Sequence, residues 1–382
     1  MKFAHLGDCH LGGWRQPELK DLNLKSFQYA ITKCLSEKVE FVLITGDLFD
    51  SAYPPIETLK EAFSEFRRLK EAGIPVFLIA GSHDYSVSGK TFLEVLEKAG
   101  LCINAVKYEE RAGKIVLLPI LYGNVAIYGY SGKKSGLEMD DIERIKLQDS
   151  PGLFKILMLH TAIKDALGNL PIKSVDEKKL PKVNYLALSH LHIIYNKENR
   201  VYSSPIFPNN LSELEELKHG SFYLFENGRA VRQEIKLKEL FILNMGLKNA
   251  LSATDDIIQE LDNGNIKDKI VLLKLSGILE QGKSTDIDFQ KIEEFTKSKG
   301  AFVFIKSISR LHLPDAEVKM DLLDSINLEN HIIKEFQERN PSKYNDLIID
   351  LSKALQVEKL EDEKSMVFED RLMSDVKRVL KI

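Results

Sequence analysis

Apolar positions in this chain fall into two rhythms. Phe3–Leu6, Phe41–Thr45 and Val76–Ala80 are short continuous apolar runs, the pattern of strands buried on both faces. Between them, apolar residues recur at helical spacing. Ser26–Ser36 is one such segment, and Ile56–Ala72 is another, with Leu59, Phe63, Phe66 and Leu69 on one stripe and Gly73 as its stop. This βαβαβ succession predicts an α/β unit. Further strands are expected at Ile115–Leu118, Val125–Tyr130, Lys155–His160, Tyr185–Ser189 and Ser221–Glu226. Helical patterns thin out there, so the second half of the sheet is expected to be more antiparallel.

A second unit is expected from Lys236. Its pattern alternates strands at Leu240–Met245, Lys269–Ser276 and Phe302–Ser307 with helices at Ser252–Leu261 and Phe289–Lys297, a small α/β domain. After Asp315 the pattern turns helical and strongly charged. Helices are expected at Asn327–Gln337, Tyr344–Leu355 and Met366–Ile382, with Pro341 as a break and Glu358–Lys364 as a charged linker. The regions are therefore 1–235, 236–315 and 316–382.

Composition adds limits. The chain of 382 residues is too long for one ordinary domain, and 44% hydrophobic content permits large cores. A formal net charge of -4 does not announce a nucleic-acid binder, although 53 Lys and Arg leave room for a local basic face. Cys9, Cys34 and Cys102 show no paired spacing, which argues against a disulfide framework or a cysteine-rich zinc site. The amino terminus is too polar for a signal peptide, and no apolar run reaches the length of a membrane span. A soluble, cytoplasmic protein with no membrane partner is the expectation.

Candidate chemistry sits at the strand ends. Asp8-Cys9-His10 follows the first strand, Gly46-Asp47 the second and Gly81-Ser82-His83-Asp84 the third. His160 ends a later strand, and Ser189-His190-Leu191-His192 another. Residues two apart on an extended chain share a side, so Asp8 with His10, and His190 with His192, can each grip an ion. The carboxylate of Asp47 has two oxygens and can bridge two metals. A mixed Asp/His set suits Mn²⁺, Fe²⁺ or Zn²⁺ better than Mg²⁺ or Ca²⁺. Two such ions, about 3.5–4 Å apart, acidify water and neutralise phosphate oxygens during in-line displacement. His83 is the candidate catalytic acid beyond the metals, with Asp84 expected to orient its ring.

These motifs, together with HLGDCHLG, ITGDLFD, GSHD and SSPIFPNN, resemble the calcineurin-like metallophosphoesterases and, among them, the Mre-eleven/SbcD nuclease family. The specific part of the resemblance covers residues 1–235. It implies a four-layer sandwich of two central sheets flanked by helices. The small α/β unit matches the family's DNA-capping domain in order and size, and the helical tail matches its ATPase-binding segment in position. The resemblance also implies two Mn²⁺ ions per subunit. One would be held by Asp8, His10, Asp47 and His192. The other would be held by Asp47, His160 and His190 with help from Ser82, and His83 would be catalytic. The implied activity is a homodimeric 3'-5' double-strand DNA exonuclease and single-strand endonuclease acting on DNA ends. Its partner would be an SMC-like coiled-coil ABC-type ATPase. Ser82 stands where Asn is usual and Ser189 where Gly is usual, and the latter predicts an altered local turn.

Other readings of these residues stay in view. The same core could hydrolyse small or protein phosphate esters, or serve as a weakly active DNA-end scaffold. Trp14 and Arg15 could contact nucleic acid or simply pack. Lys133–Lys134 could meet phosphates or water. The Ile56–Leu69 stripe could be core or a dimer seam. Cys9 is expected in the core, and His5, His219, His312 and His331 as structural or surface residues. The stripe Met366, Phe368, Leu372, Val376, Leu380 points to partner docking.

Overall fold

The computed structural model describes residues 1–86, 89–133, 138–167, 173–312, 337, 342, 345–355 and 365–380. The chain divides into two units, Met1–Pro314 and Asp315–Ile382.

The first unit opens with β1 (Lys2–Leu6), α1 (Pro17–Ser36), β2 (Phe41–Thr45), α2 (Ile56–Glu71), β3 (Val76–Ile79), α3 (Leu93–Lys98) and β4 (Ile103–Asn104). It continues through β5 (Tyr108–Arg111), β6 (Lys114–Leu117), β7 (Ile120–Tyr122), β8 (Val125–Tyr130), α4 (Glu138–Ile142), β9 (Ile145–Leu147), β10 (Phe154–His160) and α5 (Lys164–Leu167). Next come β11 (Tyr185–Ser189), β12 (Tyr195–Lys197), β13 (Arg200–Tyr202), α6 (Leu211–Leu217), β14 (Gly220–Glu226) and β15 (Arg229–Ile235).

One six-stranded sheet has the order β15-β14-β1-β2-β3-β4 and the other β12-β13-β11-β10-β8-β7. Period-two alternation explains how they stack. Phe3 on β1, Phe41 and Leu43 on β2, Ile156 and Met158 on β10, and Tyr185 on β11 face one another between the sheets. Phe3 stacks between the rings of Phe41 and Phe225 at 4.9 and 4.7 Å. Burying one such ring contributes about 1.5–3 kcal/mol. The intervening residues Ala4, Leu6, Val42 and Ile44 face Phe27, Ile31, Phe66 and Leu69 of α1 and α2. On the far side, Leu157, Leu159, Leu186 and Leu188 pack with Met139, Ile142 and Leu167 of α4 and α5. The layers run helix, sheet, sheet, helix. Strands β5, β6 and β9 form a small separate sheet.

Two expectations are corrected. The first helix begins at Pro17, nine residues before Ser26. Proline is at home in a first turn, where its missing N–H costs nothing, and Leu19 and Leu22 extend the buried stripe of Phe27, Ala30, Ile31 and Cys34. The second sheet is mostly parallel, since β8, β10, β11 and β13 all run the same way. Only its edges β7 and β12 are antiparallel. The expected antiparallel pairing holds at these edges, in β5–β6 and where β14 meets β1 and β15, and fails in the centre of the second sheet, where short helical turns make the crossovers. The α2 stripe is core: Phe66 and Leu69 are buried, and Leu59 and Phe63 pack on the same cluster.

The remainder of the first unit is β16 (Leu240–Gly246), α7 (Ala250–Asn263), β17 (Ile270–Ile278), α8 (Phe289–Ser298) and β18 (Val303–His312). Its three strands are parallel in the order β16-β17-β18. One face packs on α7 and α8 through Val271, Leu273 and Leu275 with Ile257, Leu261 and Ile292. The other face sets Leu272, Val303 and Ile305 against Trp14, Leu19, Leu22, Phe207 and Leu214 of the sandwich. In the second unit, α9 (Ile348–Leu355) and α10 (Ser365–Leu380) contact each other. Phe368, Leu372, Val376 and Leu380 of α10 are half-buried. The expected helix at 327–337, save for Gln337 itself, which is helical, the linker at 358–364 and His331 lie outside the described residues. Among the described residues, no helix is long and apolar enough to cross a membrane.

Candidate metal centre

The carboxyl ends of β1, β2, β3, β10 and β11 carry every metal-ligand and catalytic candidate named from the sequence. Open parallel sheets bind ligands at this end. The chain leaves β1 and β2 side by side, with the Asp8 amide donating to the Gly46 carbonyl at 3.1 Å and the His10 amide to the Asp47 carbonyl at 2.9 Å. Five of the polar residues sit in left-handed backbone: Asp8, His10, Asp47, His190 and His192 have φ of 48°, 42°, 50°, 103° and 52°. Non-glycine residues adopt this region at a cost and keep it only where surrounding contacts enforce it. The side chains therefore converge by left-handed turns, not by the strand alternation expected from spacing. Glycine is required at two neighbouring points. A Cβ on Gly46, whose φ is +103°, would strike the His160 ring, and one on Gly81 would strike the Asp47 carboxylate.

Three side-chain groups form there among the described residues. His10, Asp50 and His83 make a more exposed one, and Asp8, His10 and His192, and Asp8, Asp47 and His160, make the two inner ones. Nε2 of His10 lies 3.1 Å from Nε2 of His192. The opposite ring nitrogens face carboxylates, with His10 Nδ1 3.2 Å from Asp50 and His192 Nδ1 2.9 Å from Glu213. His160 Nδ1 lies 3.0 Å from the Thr45 carbonyl and 2.9 Å from the Ser189 hydroxyl. Its Nε2 is buried without a hydrogen bond and lies 3.2 Å from Asp47. Asp47 also reaches within 3.7 Å of His10 Nε2, so its carboxylate stands between the two groups. His190 presses its ring on His160, centroids 5.0 Å apart, while its amide donates to the Asp8 carboxylate at 3.0 Å.

Electrostatics favours positive charge at this point. Burial disfavours a charged His160 ring, but Asp47 and Asp8 outweigh it and raise its pKa to about 10. Burial likewise opposes charge on His192, and Asp8 with Glu213 raises it to about 9. His190 goes the other way, lowered to about 4 by burial and by His160. Burial would raise Asp47, yet His160 and His10 hold it well below the usual carboxylate range. Carboxylates facing imidazole lone pairs fit a cation, and the rings of His10, His160 and His192 each carry the polar partner that fixes a ligand's tautomer.

His83 is half exposed and lies against His10, ring centroids 4.7 Å apart. Its orienting partner is Asp50, whose carbonyl is 2.9 Å from His83 Nδ1. Asp84 does not hold that ring, contrary to expectation. Its carboxylate is buried and accepts from the amides of Gly81, Leu48 and Phe49. Adjacent residues point apart, so Asp84 ties the β2 and β3 loops together from behind. Ser82 is half-buried between Gly81 and His83. Ser189 keeps an ordinary backbone at the end of β11, and its hydroxyl donates to the Thr45 carbonyl. The altered turn expected there is not observed.

Other candidates resolve into packing. Trp14 is 8% exposed, and its indole N–H donates to the Pro208 carbonyl at 2.8 Å, which removes it from nucleic-acid stacking. Lys133 pairs with Asp141, and Lys134 lies outside the described residues. Cys9 is fully buried, and buried His5 bonds Tyr185 and Thr45. The residues that sequence reasoning missed are Asp50, Glu213 and Thr45. Asp50 was visible in ITGDLFD as a second acidic residue of one loop. Glu213 had no signal, because its contact with His192 is purely tertiary.

The family profile described as calcineurin-like phosphoesterase matches residues 1–194, which include every loop above. Among relatives, the chain is 28% identical to the DNA double-strand break repair protein Mre11 of Methanosarcina acetivorans, over 92% of this chain and 57% of that protein. The Methanocaldococcus jannaschii protein of the same name is 27% identical, over 93% of this chain and 94% of its own length. An uncharacterized metallophosphoesterase of Bacillus subtilis, YhaO, is 29% identical over 50% of this chain and 48% of its own length. The chain spans little more than half the length of the two Methanosarcina relatives, 57% and 51%. With the matched segment carrying the whole strand-end constellation, and with Mre11 proteins as similar relatives along most of its length, this chain belongs to the calcineurin-like phosphoesterase family.

Proposed function

We propose that this chain is a metal-dependent nuclease that hydrolyses phosphodiesters at DNA ends. The observation that carries the reading is the 3.1 Å approach of two Nε2 atoms, His10 and His192, with a carboxylate behind each ring. The close pair of Nε2 atoms needs positive charge between them: a proton on His192 supplies it in the free chain, and a metal ion that takes the lone pairs of both neutral rings would replace that proton. In this reading Asp8, His10, Asp47 and His192 hold one ion. Asp47, His160 and His190 hold another, assisted by the Ser82 hydroxyl directly or through water. The mixed imidazole and carboxylate set favours Mn²⁺ over Mg²⁺. Such ions supply Lewis acidity toward phosphoryl oxygens and acidify water.

The chain's own residues do the rest. The Asp50 carbonyl fixes Nδ1–H of His83, so the protonated ring has one proton to give, at Nε2, toward a leaving oxygen. The relatives' name places them at DNA double-strand breaks, and we extend that substrate to this chain, as a 3'-5' exonuclease on duplex and an endonuclease on single strands. The apolar residues of α10 are the proposed docking surface for a coiled-coil ABC-type ATPase, and the working form is a homodimer.

The test is cleavage of end-labelled duplex and single-stranded DNA with Mn²⁺, with Mg²⁺ and with chelator. Mn²⁺-dependent cutting is expected. No cutting beside clear turnover of a small phosphodiester would move the substrate to small or protein phosphate esters. DNA binding without turnover of any ester would leave an end-binding scaffold.

A further inference from the structure

Between α6 and the β16–β18 sheet lies a cavity of about 150 Å³. The sheet face that meets the sandwich starts apolar and ends polar. Along β17 it runs Ile270, Leu272, Lys274, Ser276, and along β18 Val303, Ile305, Ser307, Ser309, while Ile242 gives way to Asn244 on β16. The apolar half is packed on the sandwich. The polar half lines the cavity, at the carboxyl ends of three parallel strands. A register shift between Lys274 and Ser276 pairs Ser276 with Arg310, which brings Arg310 to the same side as Ser276. Bulges that re-aim one side chain are common beside binding sites. Lys274, Arg310, Ser212, Ser276, Ser307 and Ser309 thus surround the cavity, and among the described residues Glu215 is the only acidic group lining it. Lys274 pairs with Glu215 across the gap, while Arg310 makes no ion pair with a described residue.

We infer that this cavity binds a phosphoryl group. Two cations against one carboxylate leave an excess of positive charge, and the serine hydroxyls supply short donors for several oxygens of one tetrahedral anion. At about 150 Å³ the cavity is too small to take in a duplex and suits a single phosphoryl group at a strand end or on a released nucleotide. Helix α6 is its shared wall: Ser212 and Glu215 line the cavity, and Glu213 holds His192 in the metal centre. The inference rests on the proposed action at nucleic-acid ends.

The experiment titrates the full chain, in chelator, with three probes: inorganic phosphate, an oligonucleotide with a terminal phosphate, and the same strand with a terminal hydroxyl. Two variants are compared with the parent, Arg310→Gln and the charge-neutral pair Lys274→Gln with Glu215→Gln. Loss of a charge-assisted hydrogen bond predicts phosphate binding at least about tenfold weaker in Arg310→Gln, with hydrolysis of a small phosphodiester unchanged. A preference of the parent for the phosphorylated strand, lost in both variants, assigns the group to a strand end. Equal loss on phosphorylated and hydroxyl strands assigns it to the backbone. Parent-like phosphate affinity in both variants overturns the inference while leaving the nuclease reading intact. A parent that neither binds nor cuts any strand removes both.

Discussion

Two clusters of polar groups lie at the carboxyl ends of parallel strands in this chain, and they carry opposite sign. Where β1, β2 and β11 run out, the chain turns left-handed and gathers Asp8, Asp47 and the histidines, so that lone pairs and negative charge face inward. Where β16, β17 and β18 run out, the polar residues stay in the strands and gather Lys274, Arg310 and serine hydroxyls, so that donors face inward. The architecture at both ends is the same rule of open parallel sheets. What differs is the cost of the backbone. A site for cations needs several ligand atoms on one point, and left-handed turns deliver them. A site for an anion needs donors spread around a larger group, and ordinary strand spacing is enough.

Three substitutions at the first site sharpen this contrast. Asp47→Ala has the largest expected effect, because its carboxylate faces both groups. Metal analysis should find both ions lost and phosphodiester hydrolysis at background, with phosphate binding at the second site unchanged. Full metal occupancy in that variant would remove Asp47 from its bridging place. His83→Ala comes next. It should keep its metals and slow cleavage about 10²–10⁴-fold, the usual weight of a positioned acid. Unchanged turnover would take His83 out of the mechanism. Glu213→Gln is the mildest. Losing the carboxylate behind His192 should weaken metal affinity about 10–100-fold, read by isothermal titration with Mn²⁺. Parent-like affinity would make Glu213 a mere neighbour.

Much of the first site could be read from sequence, because Asp8, His10, Asp47, His160, His190 and His192 each follow an apolar strand. What could not be read is what holds them. Asp50 lies 40 residues from the His10 it contacts, and Glu213 lies 21 from His192. No spacing rule links such pairs. Asp84 was misassigned for a local reason: it neighbours His83 in sequence but faces backwards, onto the amides of Leu48 and Phe49. The antiparallel pairings of the second half, β14 with β1 and β15 among them, followed from the thinning of helical patterns. The parallel centre of the second sheet was missed because its crossovers use short turns in place of long amphipathic helices.

The indole of Trp14 has a consequence for how this molecule comes apart. It follows the first ligand loop by four residues, bonds Pro208 near the last one, and shares a cluster with Leu272, Val303 and Ile305 of the small sheet. That apolar seam makes the small sheet part of the sandwich's own core. A truncation after Ile235 would bare Trp14, Leu19, Leu22 and Leu214 to water, and such a fragment should aggregate. In the intact chain, the ligand loops and the small sheet should open as one cooperative unit. Native-state hydrogen exchange reads this directly: amides of β17 and of β1 are expected to share one opening free energy, and a β17 that exchanges far earlier would show a seam that does not hold.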